Sequence, residues 1–570
     1  MIALRSLYFF VACTIVTTIA AQSDNIQMGS RQYSILDRLE VKLKTDSVLN
    51  FSAVKPYNRN TITQRLEYIK QLAADGKISL SKVDIYNVGL LLQDNFDQRT
   101  GLSDTTLSLR DFYSKKSFKA PAYVGVKRGD FSFYLTPAFN LQVGRDNMLS
   151  GKSLFNSSRG FYVRGQITKG IGYYTYYVTN QERDPLYAQQ YEQTHNALPG
   201  SGFYRLGLTQ GSQDGGYDYF DARGGINFKI AKGITGEFAY DKVFIGNGIR
   251  SLIISDFSNS FLFFKINTRL WKFNYYNLFA EQVRTFVPGG SNSYLQKKYM
   301  ALHYLDFQAA KWLNIGFFEN IMFKGRNNGN GFDLSYLNPI IFYRSAELEN
   351  GSPDKVTLGL NIKANIFKNT QLYGQFILNE FLFREITHYS RGAVVNKQAL
   401  QMGLKHIDLF GIKNLDIQGE VNIIRPFVYQ HYDSATSFTH YNQPLAHPAG
   451  ANLREFIAVV KYQPLPKLNL QAKVIYYEQG LDSAGLNFGA NPFRNYTEAP
   501  RFYGFYIGSG ILAKTLLANF SAAYEIIPNV FLEGNASIRT FKRADNPVTT
   551  KSNFFTVGVR MNMQRRQFDF

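Results

Sequence analysis

From Phe131 to Val143 every second residue falls into one set: Phe131, Phe133, Leu135, Pro137, Phe139, Leu141 and Val143. Between them stand Ser132, Tyr134, Thr136, Ala138, Asn140 and Gln142. A period of two is that of an extended strand, whose successive side chains point to opposite faces. The pattern recurs at Val356, Leu358, Leu360, Ile362, Ala364 and Ile366, alternating with Thr357, Gly359, Asn361, Lys363 and Asn365. It returns over residues 415–423 and 530–538, where Leu415, Ile417, Val421 and Ile423, then Val530, Leu532, Ala536 and Ile538, share one parity. Such ribbons place one face in oil and the other in water.

A soluble β-sandwich alternates too, so segment length and connection rhythm must decide. Ordinary strands average about 5–6 residues. Many segments here extend to about 9–13, the length that crosses a bilayer at a tilt. Tight connections fall near Gly170, Ala231-Lys232, Lys311-Trp312, residues 368–370, 411–414 and 464–467, and Pro528-Asn529. Long polar stretches lie between them, at residues 180–219, 246–259, 285–297, 324–355, 386–395, 426–453, 480–510 and 542–552. Transmembrane barrels have this rhythm of short turns on one side and long loops on the other. In lipid every backbone N–H and C=O must be paired within the protein, so the sheet must close, and with both ends on one side its strand number is even. The expected fold is an all-β transmembrane antiparallel barrel of about 18 strands, range 16–20, with residues 105–113 as a possible extra strand.

Composition excludes the alternatives. No run of about 18 apolar residues follows the N-terminus, and mean hydropathy is −0.22, so no helix is expected to cross a membrane. Only 19% of residues are charged and 15% are aromatic, too much apolar mass for a disordered chain. Residues 1–21 read as a secretory signal, with Arg5 basic, residues 7–20 apolar and small residues ending at Ala21. The single cysteine, Cys13, lies inside it, so the mature chain would hold no disulfide. The net charge is +20. Such a balance suits an anionic membrane face or an acidic glycan, and export argues against nucleic acid.

The expected organisation is a signal peptide (1–21), a periplasmic helical region (22–115) and an outer-membrane barrel (116–570). Within the helical region, apolar spacing predicts helices over residues 31–44, from an Asn60 cap to Gly76, and from Ser81 to Phe96. A unit of about 70 residues is marginal alone and should pack on something. The chain ends in Phe570, out of register with Phe555, Val557, Val559, Met561 and Met563, so the last strand is expected to stop early and leave a tail.

No catalytic pattern stands out. His195, His303, His388, His406, His431, His440 and His447 show no metal-ligand spacing, and neither a nucleophile elbow nor a phosphate loop is present. We therefore expect no enzyme, no catalytic residue, no metal and no cofactor. The polar parity supplies lumen-lining candidates: Arg164 and Gln166, flanked by Phe161, Val163 and Ile167, and Arg223 and Lys229, with Asp221 and Asn227. Mixed charge of this kind can line a channel, hydrogen-bond a sugar chain or simply neutralise itself. Two Tyr-rich loops, residues 187–204 and 429–441, offer ring faces and amides for carbohydrate, although Tyr also marks the headgroup girdle of such barrels.

Several stretches resemble the capsule-assembly Wzi-type outer-membrane family, especially its Bacteroidota branch with RemB-like gliding-motility proteins. They are residues 33–40 (YSILDRLE) with Lys55-Pro56-Tyr57, 241–256 (DKVFIGNGIRSLIISD), 337–347 (LNPIIFYRSAE) and 371–381 (QLYGQFILNEF). The resemblance covers residues 30–400 and implies a periplasmic helical bundle joined to a barrel of about 18 strands. It also implies a non-catalytic protein that binds or organises capsular or exopolysaccharide at the cell surface. Accessory roles in gliding motility or adhesion, and a porin-like diffusion channel, are the alternatives. Within the matching stretches, Asn247, Arg250, Asp256, Asn338, Arg344 and Glu347 are the ligand-binding candidates. Expected partners are outer-membrane lipid and lipopolysaccharide, surface polysaccharide, the barrel-insertion machinery during biogenesis and other envelope proteins.

Overall fold

The computed structural model describes residues 23–570 except 102–103, 108–123, 208–214, 288–293, 326–330, 343–353, 380–383 and 386–387. The expected signal segment and part of the expected 105–113 strand lie outside the described residues.

Eighteen antiparallel strands close into one barrel. In chain order they are β1 Phe131–Asp146, β2 Ser153–Thr168, β3 Ile171–Arg183, β4 Tyr217–Ala231, β5 Ile234–Asp241 and β6 Phe261–Leu270. There follow β7 Phe273–Val283, β8 Lys297–Ala310, β9 Leu313–Phe323, β10 Lys355–Ile366, β11 Thr370–Leu378 and β12 Gln398–His406. The ring ends with β13 Leu415–Ile424, β14 Leu453–Leu465, β15 Leu468–Leu481, β16 Ile511–Ile527, β17 Val530–Arg543 and β18 Thr549–Met561. Each strand pairs with its chain neighbour, and β18 closes on β1 from Phe554↔Asp146 to Met561↔Phe139. Below that register, the short strand Val124–Arg128 pairs with Phe131–Leu135 and covers the part of β1 that β18 leaves unpaired. Thr105–Leu107 pairs only with Val124–Arg128, so it adds no member to the ring.

The alternation has the expected sense. Val143, Phe220, Phe238, Phe520, Leu532, Ile538 and Phe555 face outward and are exposed, while Asn140, Arg223, Asn361, Lys363 and Glu533 face inward and are buried. An exposed apolar belt around a closed sheet is the surface a lipid solvent requires. The belt is interrupted on β9. Glu319 lies on the outward parity of β9, opposite His303, and the segment 333–342 runs over it, with the Phe342 N–H donating to Glu319 Oε2 at 2.6 Å. Tyr336 and Phe332 pack there against Phe323.

Three helices fill the short-turn mouth: α1 Gln32–Leu43, α2 Arg59–Ala74 and α3 Lys82–Asp94. The cap of α2 is Asn58, not Asn60. Asn58 holds the extended conformation that a cap needs (φ −64°, ψ 125°), and its side chain accepts from Thr61 N–H. At α3, Ser81 and Asp84 form a reciprocal capping box. Leu36, Leu39, Ile62, Leu66, Ile69 and Leu91 make a small apolar core. Ion pairs fasten the unit to the barrel: Arg38 reaches Asp408 and Asp416, Arg31 reaches Glu525 at 2.7 Å, and the inward Lys363 meets Glu40 at 2.5 Å.

From the opposite mouth, residues 242–260 descend into the lumen. Phe244–Ile245 pairs with Val54–Lys55, and Asn247 Nδ2 donates to Ser52 Oγ at 2.9 Å. Ile253 and Ile254, together with Val428 and Leu445 from residues 425–452, pack on Tyr276, Met300 and Phe318 of the wall. This side of the interior is therefore an apolar core, where strand parity alone predicts a polar lining.

Candidate functional site: a polar cavity inside the barrel

The other side of the lumen, along β1 to β4, keeps its polar lining, and there a cavity of about 330 Å³ remains. Its wall is laid down by strand parity: Asn140 from β1, Asn156 and Ser158 from β2, Tyr176 and Asn180 from β3, Asp221 and Arg223 from β4. Its floor and roof come from the descending loop, with Lys242, Arg250 and Asp256, and from the C-terminal tail.

The tail is the element that shapes it. β18 ends at Met561, and residues 562–570 turn back into the barrel. Arg565 joins Glu533 at 3.1 Å, and Arg566 joins Glu182 at 2.9 Å. Asp569 meets Lys473 at 2.9 Å. Phe570 is buried among Tyr187, Tyr191 and Phe257. The strand thus stops early as its register predicted, and the terminal aromatic lies within the lumen.

Most of the charge on the lining is already neutralised. Arg223 holds Asp221 at 2.5 Å and stacks over Tyr176. Arg250 holds Glu455 at 3.1 Å, and Glu455 also receives His447 at 2.8 Å. Lys242 differs: its Nζ donates to the carbonyls of Gly200 and Asp256 at 3.2 and 3.1 Å. Burial, reinforced by the neighbouring Arg223 charge, pushes its ammonium down to about 8. Three buried polar atoms on the lining, Asn140 Oδ1, Arg223 Nη1 and Arg566 Nε, have no hydrogen-bond partner among the described residues. Unmet donors and acceptors beside a cavity are a binding surface for a hydroxylated or anionic guest, since leaving them unpaired costs about 1–3 kcal/mol each.

The candidate residues disperse. Arg250 and Asp256 line the cavity together, and Arg223 joins them from the wall. Asn247 is buried below it, against Ser52. Arg164 lies at the helical end, held by Asp97 at 2.8 Å, and Gln166 lies nearby, with its Nε2 3.5 Å from Gln98 Oε1. Lys229 shares the inward parity of Arg223 but sits at the short-turn end of β4. Asn338 belongs to the segment outside the barrel, where its Oδ1 accepts from Ile340 N–H. The described part of the 337–347 stretch, residues 337–342, therefore does not converge with 241–256. Arg344 and Glu347 lie outside the described residues.

The Tyr-rich loops turn inward as well. Tyr187, Tyr204 and Tyr429 are buried, and residues Leu186–His195 form a fourth helix, α4. Burial removes these three rings from sugar contact and headgroup girdle alike, whereas Tyr432 of the second loop stays exposed. Sequence reasoning overlooked Lys242, Glu182 and Glu455, and it expected a tail without placing it in the lumen. Lys242 stands within a stretch already singled out, whereas nothing local marks residues 562–570 as a lumen element. Among the described residues, no cluster of three His, Cys, Asp or Glu could hold a metal.

No protein-family profile matches the chain, and no curated protein matches it. Among solved structures it is similar to Wzi of Escherichia coli, described as an outer-membrane protein involved in group 1 capsule assembly and a carbohydrate-binding β-barrel. The identity is 12%, the match covers 96% of this chain and 100% of that one, and the TM-score is 0.55. OprD of Pseudomonas aeruginosa matches at 9% identity over 76% of this chain and 96% of its own, with a TM-score of 0.41. OpdK of the same organism, solved with vanillate, matches at 8% over 75% and 97%, with a TM-score of 0.42. The likeness to Wzi is one of fold: a closed barrel of the outer-membrane type, matched along nearly the whole chain.

Proposed function

We propose that this chain is a non-enzymatic outer-membrane barrel that binds and organises an acidic capsular or exopolysaccharide at the cell surface, with its helical unit in the periplasm. The observation that carries this reading is the lumen cavity, where Asn140 Oδ1 and Arg566 Nε have no hydrogen-bond partner among the described residues and the Lys242 Nζ donates there to backbone carbonyls. A uronic-acid residue offers what such a lining lacks: a carboxylate for Lys242 and hydroxyls for the open polar atoms. The capsule-assembly role and carbohydrate binding ascribed to Wzi, which shares the fold, support the same reading. The diffusion-channel reading is disfavoured by the filling of both mouths, by the helical unit at one end and residues 242–260 and 425–452 at the other.

Isothermal titration of the detergent-purified full chain with a uronic-acid-containing capsule oligosaccharide tests the reading. Binding should weaken at least tenfold in Lys242→Ala, with an unchanged melting transition. A deletion strain should shed surface polysaccharide. Absence of binding together with normal retention would overturn the proposal.

A further inference from the structure

The eight short turns share a composition that neither the cavity nor the helical unit uses. Seven of them carry exactly one lysine each. Lys169, Lys232 and Lys467 stand in the turns after β2, β4 and β14. In the remaining four, the lysine accompanies an aromatic residue: Trp271 with Lys272, Trp312 with Lys311, Phe367 with Lys368, and Phe410 with Lys413. The chain has only 2 Trp, and both are here. The one acid within the eight turns is Asp408, which Arg38 and Lys42 of the helical unit already neutralise.

The aromatic residues are placed against two local preferences. Trp271, Phe367 and Phe410 have φ of 52°, 47° and 54°, the left-handed region that bulky side chains avoid. Their rings are also 76%, 75% and 88% exposed. Water offers no return for either departure. A bilayer interface does, because indole and phenyl rings settle at the headgroup level and long lysine side chains reach from the apolar edge to phosphate. An uninterrupted succession of such turns, from β6 to β13, forms an arc of positive charge and exposed rings around one rim.

We propose that this rim is a binding surface for anionic glycerophospholipids in the leaflet at the short-turn end. The occupant follows from charge complementarity: seven lysines stand against Asp408, already neutralised by the helical unit, and Asp130 of the adjoining 129–130 connection, 3.6 Å from Lys169, and this excess faces a lipid whose headgroup carries net negative charge, while zwitterionic headgroups lack that complement. The inference rests on the membrane placement of the barrel and not on what the lumen binds.

Native mass spectrometry of the full chain, released from mixed micelles containing phosphatidylglycerol or phosphatidylcholine, tests it. The wild type should retain phosphatidylglycerol at a concentration at least tenfold lower than phosphatidylcholine. Changing all seven turn lysines to Gln should bring the two lipids within about twofold. A control variant with Lys152, Lys324, Lys542 and Lys551 of the long-loop end changed to Gln should keep the tenfold preference. Heat-shifted gel mobility verifies that each variant is folded. Equal retention of both lipids by the wild type, or a preference lost in the control and kept in the turn variant, would overturn the proposal and leave the barrel in its membrane. Retention of neither lipid would count against the membrane placement itself.

Discussion

Replacing Asp37 with Asn isolates one electrostatic link between α1 and the barrel. The Asp37 carboxylate accepts from Lys405 Nζ, on β12, at 3.0 Å. Burial opposes its charge, but Lys405 and Lys55 outweigh that penalty and hold it at about 2, against an ordinary 3.8. The side chain is 24% exposed, so solvent screens the pair only in part. A difference of this size is worth about 2 kcal/mol at neutral pH. Because the folded-state value lies below the unfolded one, the contribution is complete above the ordinary value and is lost as pH falls from about 4 through 2. In Asp37→Asn the α1 amides should open roughly thirtyfold more often at pH 7. Hydrogen–deuterium exchange of the detergent-purified chain measures this directly. The wild type should approach the variant as the pH is lowered to 2. Equal α1 protection in the two proteins at pH 7, or a gap that persists undiminished at pH 2, would refute the reasoning.

Truncating Lys363 to Ala should destabilise the chain by about 3–5 kcal/mol, because Glu40 would remain buried without its cation. Equilibrium unfolding followed by gel mobility measures that loss, and a wild-type midpoint would contradict it. Deleting residues 562–570 removes the pairs that Arg565, Arg566 and Asp569 make with the wall. The shortened barrel should then bind the oligosaccharide at least tenfold more weakly in isothermal titration, because Arg566 and Asp569 leave the cavity lining, and unchanged affinity would deny the tail a role in shaping the site.

Much of the candidate site was legible from parity. Once β4 was recognised as a strand, Arg223 and Asp221 had to share the polar face with Asn227 and Lys229. Parity could not say which of these meet a common cavity, because that depends on how far along the barrel each one lies. Arg223 stands at the cavity, while Lys229, six residues further on, has reached the short-turn end. The helix caps mark a similar limit. Asn58 and Asn60 have the same capping chemistry, and the choice between them was made by the chain path, in which Asn58 Nδ2 donates to Ser23 O and the Asn60 N–H to Ser23 Oγ.

Period-two alternation, strands too long for a soluble sheet and the rhythm of short and long connections were enough to specify a closed barrel. These are local properties, and lipid permits few other solutions once they are present. The contents of the barrel obeyed no such local rule. The docking of the helical unit, the descent of residues 242–260 and the return of the tail are contacts between residues hundreds of positions apart, such as Arg566 with Glu182 and Lys363 with Glu40. Their energies come from burial and charge pairing that exist only after the wall has closed, so only the tertiary structure could decide how this barrel is filled and where the cavity beside the tail lies.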